Sequence, residues 1–304
     1  MAIVILNWNQ LDATRRCVAS CQSVRRIYVL NNGCDEDQKY RASGRPGEIV
    51  VNSPTNLGFA AGVNLAAAGA LADGANWILL LNNDATLAGG AAGALLAAAG
   101  QGIAAVCPMV IDEATDRVWS VGGRINLITG RVSSEFHGWH PAAVPQESTD
   151  VHFGTGACLL VSGTAMKDLG GLDATYFAYW EETDWCSRAR AAGYRVVTCP
   201  PAQVRHIGSL SSSSSLRLYF MIRNCLLFMR RNARPHHWVT FVPTFFLWTL
   251  PSWAVRPMLS HPSESAAAIL RALFWHARRR IPEPDVELPS VGQTFGSDRG
   301  SRGR

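Results

Sequence analysis

The fold of this chain is decided by the stretch Trp77-Ile-Leu-Leu-Leu-Asn-Asn-Asp84. Its five leading apolar residues predict a strand that is buried on both faces of a parallel sheet. The run then changes abruptly to two amides and one carboxylate. Ligands of open α/β sheets bind beyond the carboxyl ends of the strands, where a carboxylate can hold a hard cation against a diphosphate. A strand followed by an ordinary Asn/Asp turn explains the same residues, so the rest of the chain has to decide.

Strands and helices alternate around this stretch. We expect strands at 3–6, 27–30, 49–51 and 77–81, and helices at 11–23 and 60–72. This alternation predicts right-handed βαβ units and a parallel sheet. Because the carboxyl ends of parallel strands meet at one edge, the loops that follow them should form a single polar rim. The polar residues of these loops are Asn7, Asn9, Asn31, Asn32, Asn82, Asn83 and Asp84.

The second half of the chain has a less regular pattern. We expect a helix at 86–99, strands near 106–111, 153–161 and 196–197, a turn at 200–201 and a weakly patterned region at 112–150. A serine run at 209 and 211–215 predicts a flexible loop that could close over a ligand.

A second dense group of polar residues follows an aromatic patch at 176–180. A helix is expected from Glu182 to the stop signal at Gly193, which places Glu181, Glu182 and Asp184 at its start. Acids in a first helical turn interact favourably with the helix dipole, and that alone explains one or two of them. Three acids beside four aromatic residues are better explained by a site where a carboxylate meets a ring-shaped ligand.

The composition describes a globular chain without an unusual cysteine pattern. Of the 304 residues, 48% are hydrophobic and 17% are charged. The eight cysteines include no C-x-x-C pair, so we expect reduced, mostly buried thiols rather than a disulfide framework or a zinc cluster. No basic segment precedes the apolar residues 2–6, and no targeting peptide is expected.

Positive charge is concentrated in the C-terminal third. Residues 217–280 contain ten arginines and one acid, whereas the remainder of the chain has a net charge of −4. Within this third, 238–255 has no formal charge but contains Pro243 and Pro251, and 266–280 is expected to be an amphipathic helix. Trp and Phe beside Arg suit lipid headgroups, so we expect attachment to a membrane surface and no nucleic-acid partner. A pair of buried core helices is the alternative.

The order of these motifs resembles that of family 2 glycosyltransferases, in particular the bacterial rhamnosyltransferase-like members that build cell-surface polysaccharide. The resemblance covers residues 2–230, and an ordered series is more specific than any one motif. It implies a nucleotide-diphospho-sugar-binding, Rossmann-like GT-A fold with a mostly parallel sheet, an inverting mechanism and a divalent metal, Mg²⁺ or Mn²⁺. The series runs Asn7-x-Asn9, Asn31-Asn32-Gly33, Asn56-Leu-Gly-Phe59 with Asn64, Asn82-Asn83-Asp84, Gly154-Thr-Gly156, Glu181-Glu182-x-Asp184 and His206.

The resemblance implies a metal site at Asp84. The triplet Asn82-Asn83-Asp84 stands at the metal and diphosphate motif usually written D-x-D, and Asp84 is its one acid. Replacement of the first acid by Asn82 weakens the site and makes a second ligand more necessary. His206 matches the position that contacts the metal in some relatives.

The resemblance also implies the catalytic base. Glu181-Glu182 matches a Glu-Asp pair whose second acid takes the proton of the acceptor hydroxyl, which assigns that role to Glu182. Glutamate is one methylene longer than aspartate, so Glu181 stays the alternative.

Binding roles follow from the remaining motif positions. Asn31 stands where an aspartate commonly contacts the nucleoside, which leaves the preferred base open. Trp180, Asp184 and Trp185 are expected at the acceptor, although the aromatic residues could equally pack beneath the helix. The expected donor-binding residues are Asn7, Asn9, Asn31, Asn32, Asn56, Gly58, Asn64, Asn83, Asp84 and Gly156.

Two other classes of protein explain part of the pattern. A nucleotidyltransferase would share the sheet and the metal, but it should have a Gly-rich, basic loop after the first strand, where this chain has Asn7-Trp8-Asn9. A non-catalytic membrane-surface binding protein would explain the basic third and leave the paired acids unexplained.

We therefore expect an inverting transferase that uses a dTDP-rhamnose-like or UDP-sugar donor and a lipid-linked saccharide acceptor. It is expected in the cytoplasm, peripheral on the inner face of the plasma membrane. Three parts are expected: a GT-A domain at 1–230, membrane-associating helices at 231–280 and a disordered tail at 281–304.

Overall fold

The computed structural model describes residues 1–208 and 214–278. Most of the predicted serine-rich loop and all of the predicted tail at 281–304 lie outside these ranges. The described residues form an α/β fold with a mixed sheet between helices, followed by a group of C-terminal helices.

The strands begin with the predicted apolar runs and continue into the second half of the chain. They are β1 (Ala2–Asn7), β2 (Arg26–Asn32), β3 (Glu48–Ser53), β4 (Trp77–Asn82), β5 (Ala85–Leu87), β6 (Ile103–Asp112), β7 (Arg117–Ser120), β8 (Gly123–Asn126), β9 (Arg131–Ser134), β10 (Cys158–Ser162) and β11 (Arg195–His206).

The helices fall into two groups, which flank the sheet or follow it. They are α1 (Leu11–Ser20), α2 (Gly58–Ala72), α3 (Ala91–Ala98), α4 (Gly163–Leu169), α5 (Glu181–Ala191), α6 (Ser214–Asn232), α7 (Pro235–Thr244), α8 (Leu250–Ser260) and α9 (Pro262–Arg278).

The main sheet has the order β3-β2-β1-β4-β10-β6-β11-β5, and β7 pairs with β6. The first four strands are parallel, as predicted, so their polar carboxyl ends meet at one edge. Asn7 lies opposite Asn31, and Leu6 lies opposite Asn82. Beyond β4 the sheet becomes mixed, because β10 runs antiparallel to both β4 and β6.

Strand β4 is buried on both faces, as its unbroken apolar run predicted. Ile78 and Leu80 face the hydrophobic cluster that α2 and α5 cover. Leu79 and Leu81 face the opposite cluster, which α1 and α3 cover. Alternate residues of a strand point to opposite faces, so a strand between two helical layers needs an apolar residue at every position.

Two predictions, one of a helix and one of a turn, were wrong. The helix predicted at 86–99 begins only at Ala91, and Thr86 lies instead in the short strand β5. The turn predicted at Pro200 and Pro201 lies within β11, where the register against β6 shifts between Cys199 and Gln203. Proline has no N–H to donate to a ladder, so two prolines produce a bulge there.

The C-terminal helices form their own buried cluster against the body of the protein. Helix α6 contributes residues such as Ile222 and Phe228, while α7 and α9 contribute Phe241 and Ala272. Tyr176 and Trp180 join this cluster from the segment before α5. Helix α6 extends across residue 230, the predicted domain boundary, and packs with the helices that follow it.

Helices α7 and α8 form one continuous helical segment, Pro235–Ser260, joined by a π-helical turn at Phe245–Thr249. This segment is long and apolar enough to cross a membrane, and only 22% of its most apolar window is buried. Leu247, Trp248 and Leu259 are 80%, 66% and 83% exposed. Length and composition alone do not distinguish a membrane span from a helix that lies on the surface.

Candidate functional site

Amide side chains connect the ends of β1 and β2. The Asn7 side chain donates to the Asn31 side chain at 2.9 Å and to the backbone oxygen of Gln38 at 2.8 Å. Asn31 in turn donates to Asn52 at 2.8 Å and to the Tyr40 backbone at 2.9 Å. Both residues are buried. Their polar atoms are thus used to hold the loops together. Asn7 and Asn31 would affect donor binding indirectly, because they determine the conformation of these loops.

Two further rim residues are less buried: Asn83 is half-buried and Asn9 is exposed. Asn83 donates to the hydroxyl of Thr14 at 3.1 Å, which links the end of β4 to α1. Asn9 has a positive φ of 52° and makes two hydrogen bonds with Asp35, one to its carboxylate and one from its backbone N–H. The structure therefore brings the three asparagine-bearing loops together, as the parallel sheet predicted.

The loop before α2 is tied to the same rim. The Asn32 side chain donates to Asn56 and to the backbone oxygen of Gly58, both at 3.1 Å. Gly58 has a φ of +80°, and a Cβ there would lie 2.6 Å from the ring of Phe177. Glycine is required for this close approach. Asn64 exchanges two hydrogen bonds with the Leu172 backbone, at 2.7 and 2.8 Å, so its placement is structural.

Asp84 and His206 meet although they are far apart in the sequence. The cause is β5, which directly follows Asp84 and pairs with the end of β11, so that Ala85 lies opposite His206. Nε2 of His206 lies 3.0 Å from Oδ1 of Asp84, and both side chains are buried. The imidazole also stacks on Trp119 with ring centroids 4.6 Å apart. No sequence signal pointed to Trp119.

The Asp84 and His206 pair has the donor set of a metal site. The two facing atoms are within hydrogen-bond distance, yet neither has a hydrogen-bond partner among the described residues. Buried polar atoms are normally satisfied. An imidazole nitrogen and a carboxylate oxygen 3.0 Å apart, neither with a hydrogen bond among the described residues, form a donor set that fits a divalent cation. Within 1–208 and 214–278, no third acid, histidine or cysteine joins them. Mg²⁺ sites commonly use one or two side chains and complete their coordination with phosphate oxygens and water.

The paired acids at the start of α5 form the second part of the site. Oε2 of Glu181 and Oε2 of Glu182 are both buried without a hydrogen-bond partner among the described residues. Burial, followed by the charge of Glu182, raises the pKa of Glu181 well above its usual range. Burial also raises the pKa of Glu182, against backbone N–H groups that lower it. Carboxylates in this state are suited to accept a proton near neutral pH.

Gly156 connects the two parts. A Cβ built on Gly156 would lie 3.8 Å from the carboxyl carbon of Glu182. The next residue, Ala157, accepts a hydrogen bond from the backbone of Asn82 at 3.0 Å. Since β10 begins where β4 ends, Gly156 and Asp84 lie beside neighbouring strand ends, and Glu182 of α5 lies next to Gly156.

The residues expected at the acceptor have partners within the protein. Trp185 is fully buried, and its indole N–H donates to the Gly170 backbone at 3.0 Å. Buried Asp184 accepts hydrogen bonds from Tyr176 at 3.0 Å and from Arg188 at 2.9 Å. Trp180 is buried against α6. These contacts favour the alternative in which the aromatic residues pack beneath the helix.

A comparison with known families supplies the decisive observation. The model described as Glycosyl transferase family 2 matches residues 2–170. The chain belongs to glycosyltransferase family 2. This membership excludes the nucleotidyltransferase alternative and favours an enzyme over a non-catalytic binding protein.

Relatives of this family 2 glycosyltransferase include a rhamnosyltransferase. The chain is 28% identical over 201 residues to N-acetylglucosaminyl-diphospho-decaprenol L-rhamnosyltransferase of Mycobacterium tuberculosis. That match covers 59% of this chain and 66% of the relative, just under two thirds of its length. A shorter match, 28% identical over 75 residues, covers 24% of this chain and 24% of the low-salt glycan biosynthesis hexosyltransferase Agl10 of Haloferax volcanii.

Solved structures confirm the GT-A-like fold. GalNAc-T7 with UDP, GalNAc and Mn²⁺ has a TM-score of 0.58 at 13% identity, over 92% of this chain and 57% of that one. The mannosyltransferase of Pyrobaculum calidifontis in complex with GDP-Man and Mn²⁺ has a TM-score of 0.54 at 13% identity, over 92% of this chain and 80% of that one. At this level of identity the likeness shows the fold.

Proposed function

We propose that this glycosyltransferase moves a sugar, with inversion, from a nucleoside diphosphate to a hydroxyl of a lipid-linked saccharide. The observation that carries the proposal is that two different polar groups lie beside the neighbouring ends of β4 and β10. One is the unsatisfied pair Asp84 and His206, and the other is the pair of buried acids at the start of α5. Inverting transfer needs separate groups for the leaving diphosphate and for the attacking hydroxyl.

Glu182 is the residue that we assign as the base. It is half-buried, whereas Glu181 is buried. Its carboxyl carbon lies near Gly156, which has no side chain to fill the space between them. Glu182 would accept the proton of the acceptor hydroxyl as that oxygen attacks the anomeric carbon. Glu181 is its immediate neighbour, and the charge of Glu182 adds to burial in raising the pKa of Glu181.

Asp84 and His206 are the residues that would hold a divalent metal, Mg²⁺ or Mn²⁺. A bound metal supplies positive charge to the diphosphate as it departs. Two structural neighbours were solved with Mn²⁺, one with UDP and one with GDP-Man. Thr14 and Asn83 link α1 to the strand end that carries Asp84, and so maintain the shape of the rim.

The acceptor class and the location follow from the relative and from the C-terminal helices. The mycobacterial relative is named for a diphospho-decaprenol acceptor and an L-rhamnosyl group. An acceptor of that kind, a saccharide on a polyprenyl diphosphate, is anchored in a membrane. The exposed apolar side chains of α7 and α8 lie in the Arg-rich third of the chain, which suits an anionic bilayer surface. We therefore place the enzyme on the cytoplasmic face of the plasma membrane.

The test is thermal melting with Mn²⁺ and UDP, dTDP or GDP. A ligand at a hundred times its dissociation constant stabilises by about 2.7 kcal/mol, which is easily measured as a shift in Tm. We expect a shift with one diphosphate that is lost in Asp84→Ala and kept in Asp12→Ala, which changes an exposed acid on α1. The absence of any shift in the wild type would overturn the donor site.

A further inference from the structure

The segment before the paired acids has an unusual backbone. Phe177, Tyr179 and Trp180 have φ angles of 64°, 67° and 77°, so three non-glycine residues within four have a positive φ. Such conformations are unfavourable for residues with a Cβ and persist only where the surroundings determine them. We call residues 177–180 the base turn, because α5 and Glu181 begin directly after it.

Helix α6 holds the base turn through one buried asparagine. The Asn224 side-chain amide donates to the backbone oxygens of Tyr176, Ala178 and Tyr179, at 3.0, 2.8 and 2.7 Å. Tyr176 ends a short 3₁₀ helix, Ala174–Tyr176, whereas Ala178 and Tyr179 lie in neither helix nor strand. The carbonyls of Ala178 and Tyr179 therefore depend on a side-chain donor. One side chain therefore holds two of the four residues of the base turn and the residue that precedes it.

The preceding residue of α6 adds a second support. Nη2 of Arg223 donates to the backbone oxygens of Thr175 and Tyr176, both at 2.6 Å. Arg223 is buried, and its guanidinium lies 5.0 Å from the ring centroid of Phe220 and 5.1 Å from that of Trp275 on α9. A charge that is enclosed between rings and carbonyls is fixed in position.

The opposite side of the base turn is held by α2. The Phe177 backbone oxygen accepts hydrogen bonds from the N–H groups of Phe59 and Ala60, at 2.6 and 3.2 Å. The Phe177 ring stacks on Phe220 of α6, with centroids 5.4 Å apart. The base turn is thus fixed between α2 and α6.

We propose that Asn224 and Arg223 are positioning residues for glycosyl transfer, which act through the base turn to hold Glu181 and Glu182 in place. The proposal rests on the function proposed above. It also gives the C-terminal helices a part in the active site, in addition to any contact with a membrane. Residue 224 lies outside the 2–170 region that the family model matches.

The alternative is that these bonds only fasten α6 to the body of the protein. Asn232 offers a control on the same helix. Its side chain accepts a hydrogen bond from Ser187 of α5 at 2.8 Å and donates to Asp184 at 3.5 Å, and neither bond reaches residues 177–180. Loss of either asparagine should weaken the attachment of α6. Only loss of Asn224 should disturb the backbone before Glu181.

The experiment compares Asn224→Ala, Asn224→Asp and Asn232→Ala with the wild type. Asn224→Asp keeps the size of the side chain and removes the donor groups. We expect faster amide hydrogen exchange across the base turn, residues 177–180, in both Asn224 variants, and exchange near that of the wild type there in Asn232→Ala. We also expect kcat per folded molecule to fall about 10- to 100-fold in the Asn224 variants, because misplacement of about 1 Å has that effect. The donor KM and the diphosphate melting shift should stay unchanged.

Two results would overturn the proposal. One is exchange in the base turn that equals the wild type in both Asn224 variants. The other is a turn that exchanges faster while kcat per folded molecule stays the same. A wild type that transfers no sugar from any donor would instead contradict the proposed function, and the exchange comparison would still decide whether α6 holds the turn.

Discussion

At the residue scale, the proposed role of His206 as a metal ligand depends on its contact with Asp84. We predict that His206→Ala raises the Mn²⁺ concentration needed for the diphosphate melting shift by at least about tenfold, since loss of even an outer-shell partner has that effect. His261→Ala, an exposed histidine after α8, is the control. An unchanged Mn²⁺ midpoint in His206→Ala would show that the contact with Asp84 has no part in metal binding.

The base assignment predicts an asymmetric effect of two similar substitutions. Glu182→Gln should lower kcat about 100- to 10,000-fold, which is the contribution of general base catalysis, and Glu181→Gln should lower it less. Steady-state kinetics with the identified donor measure both effects. Glu147→Gln, an exposed acid far along the chain from α5, should have no effect. A larger loss in Glu181→Gln would transfer the role of base to Glu181.

The raised pKa values of both acids also predict how activity depends on pH. A base must be deprotonated to act, so kcat/KM should rise with pH through the raised pKa of the pair. The acidic limb should therefore lie above the usual glutamate range. A pH–rate profile in which activity is complete at the ordinary pKa of glutamate would contradict this.

The same acids should destabilise the folded protein at neutral pH. A carboxyl whose pKa is raised on folding adds stability below its unfolded pKa, and this stability is lost as pH rises through the folded pKa. Glu181→Gln should therefore have a higher Tm than the wild type at pH 7, and the difference should shrink as the pH is lowered toward 4. A difference that does not depend on pH would indicate a packing effect instead.

The sequence singled out the charged residues of this candidate site more readily than it predicted their contacts. Asp84 and the paired acids were found because charge is conspicuous at the end of an apolar strand or beside aromatic residues. The asparagines were expected to bind the donor, yet Asn31 and Asn64 are occupied by protein groups. An asparagine side chain uses the same atoms to hydrogen-bond a loop or a ligand. The sequence alone therefore could not distinguish a structural asparagine from a ligand-binding one.

At the element scale, the exposed face of α7 and α8 should bind anionic lipid. We predict that the protein sediments with phosphatidylglycerol vesicles and that Trp248→Glu weakens this binding severalfold, since it places a charge on the apolar face. Trp139→Glu, at a tryptophan that is 50% exposed outside this face, is the matched control. If Trp248→Glu and Trp139→Glu bind the vesicles equally well, the exposed face of α7 and α8 does not contact lipid.

Strand β5 shows why a short element can escape a sequence prediction. Its three residues precede an Ala-rich helix, so the sequence pattern wrongly included Thr86 and Leu87 in that helix. Their strand conformation comes from pairing with β11, a partner far away in the chain. Without that pairing, the sequence could propose His206 as a ligand only by resemblance and could not show that it reaches Asp84.

At the scale of the whole molecule, the parallel half of the sheet was predictable and the mixed half was not. Strands β1 to β4 follow one another with helices between β1 and β2 and between β3 and β4, so their arrangement follows from local pattern and right-handed connections. The positions of β10 and β11 depend on long-range pairing across irregular segments. The C-terminal helices were predicted from composition, and their attachment to the base turn was not.

That attachment has a consequence for the order in which the enzyme is made. During synthesis, the strands of the rim and the paired acids leave the ribosome before α6 does. The acids then lack the asparagine and arginine that support the turn before them. A nascent chain should therefore be able to bind a nucleotide before it can transfer a sugar. Activity would begin only when α6 has emerged and packed against the base turn, so the capacity to bind a nucleotide would precede the capacity for transfer.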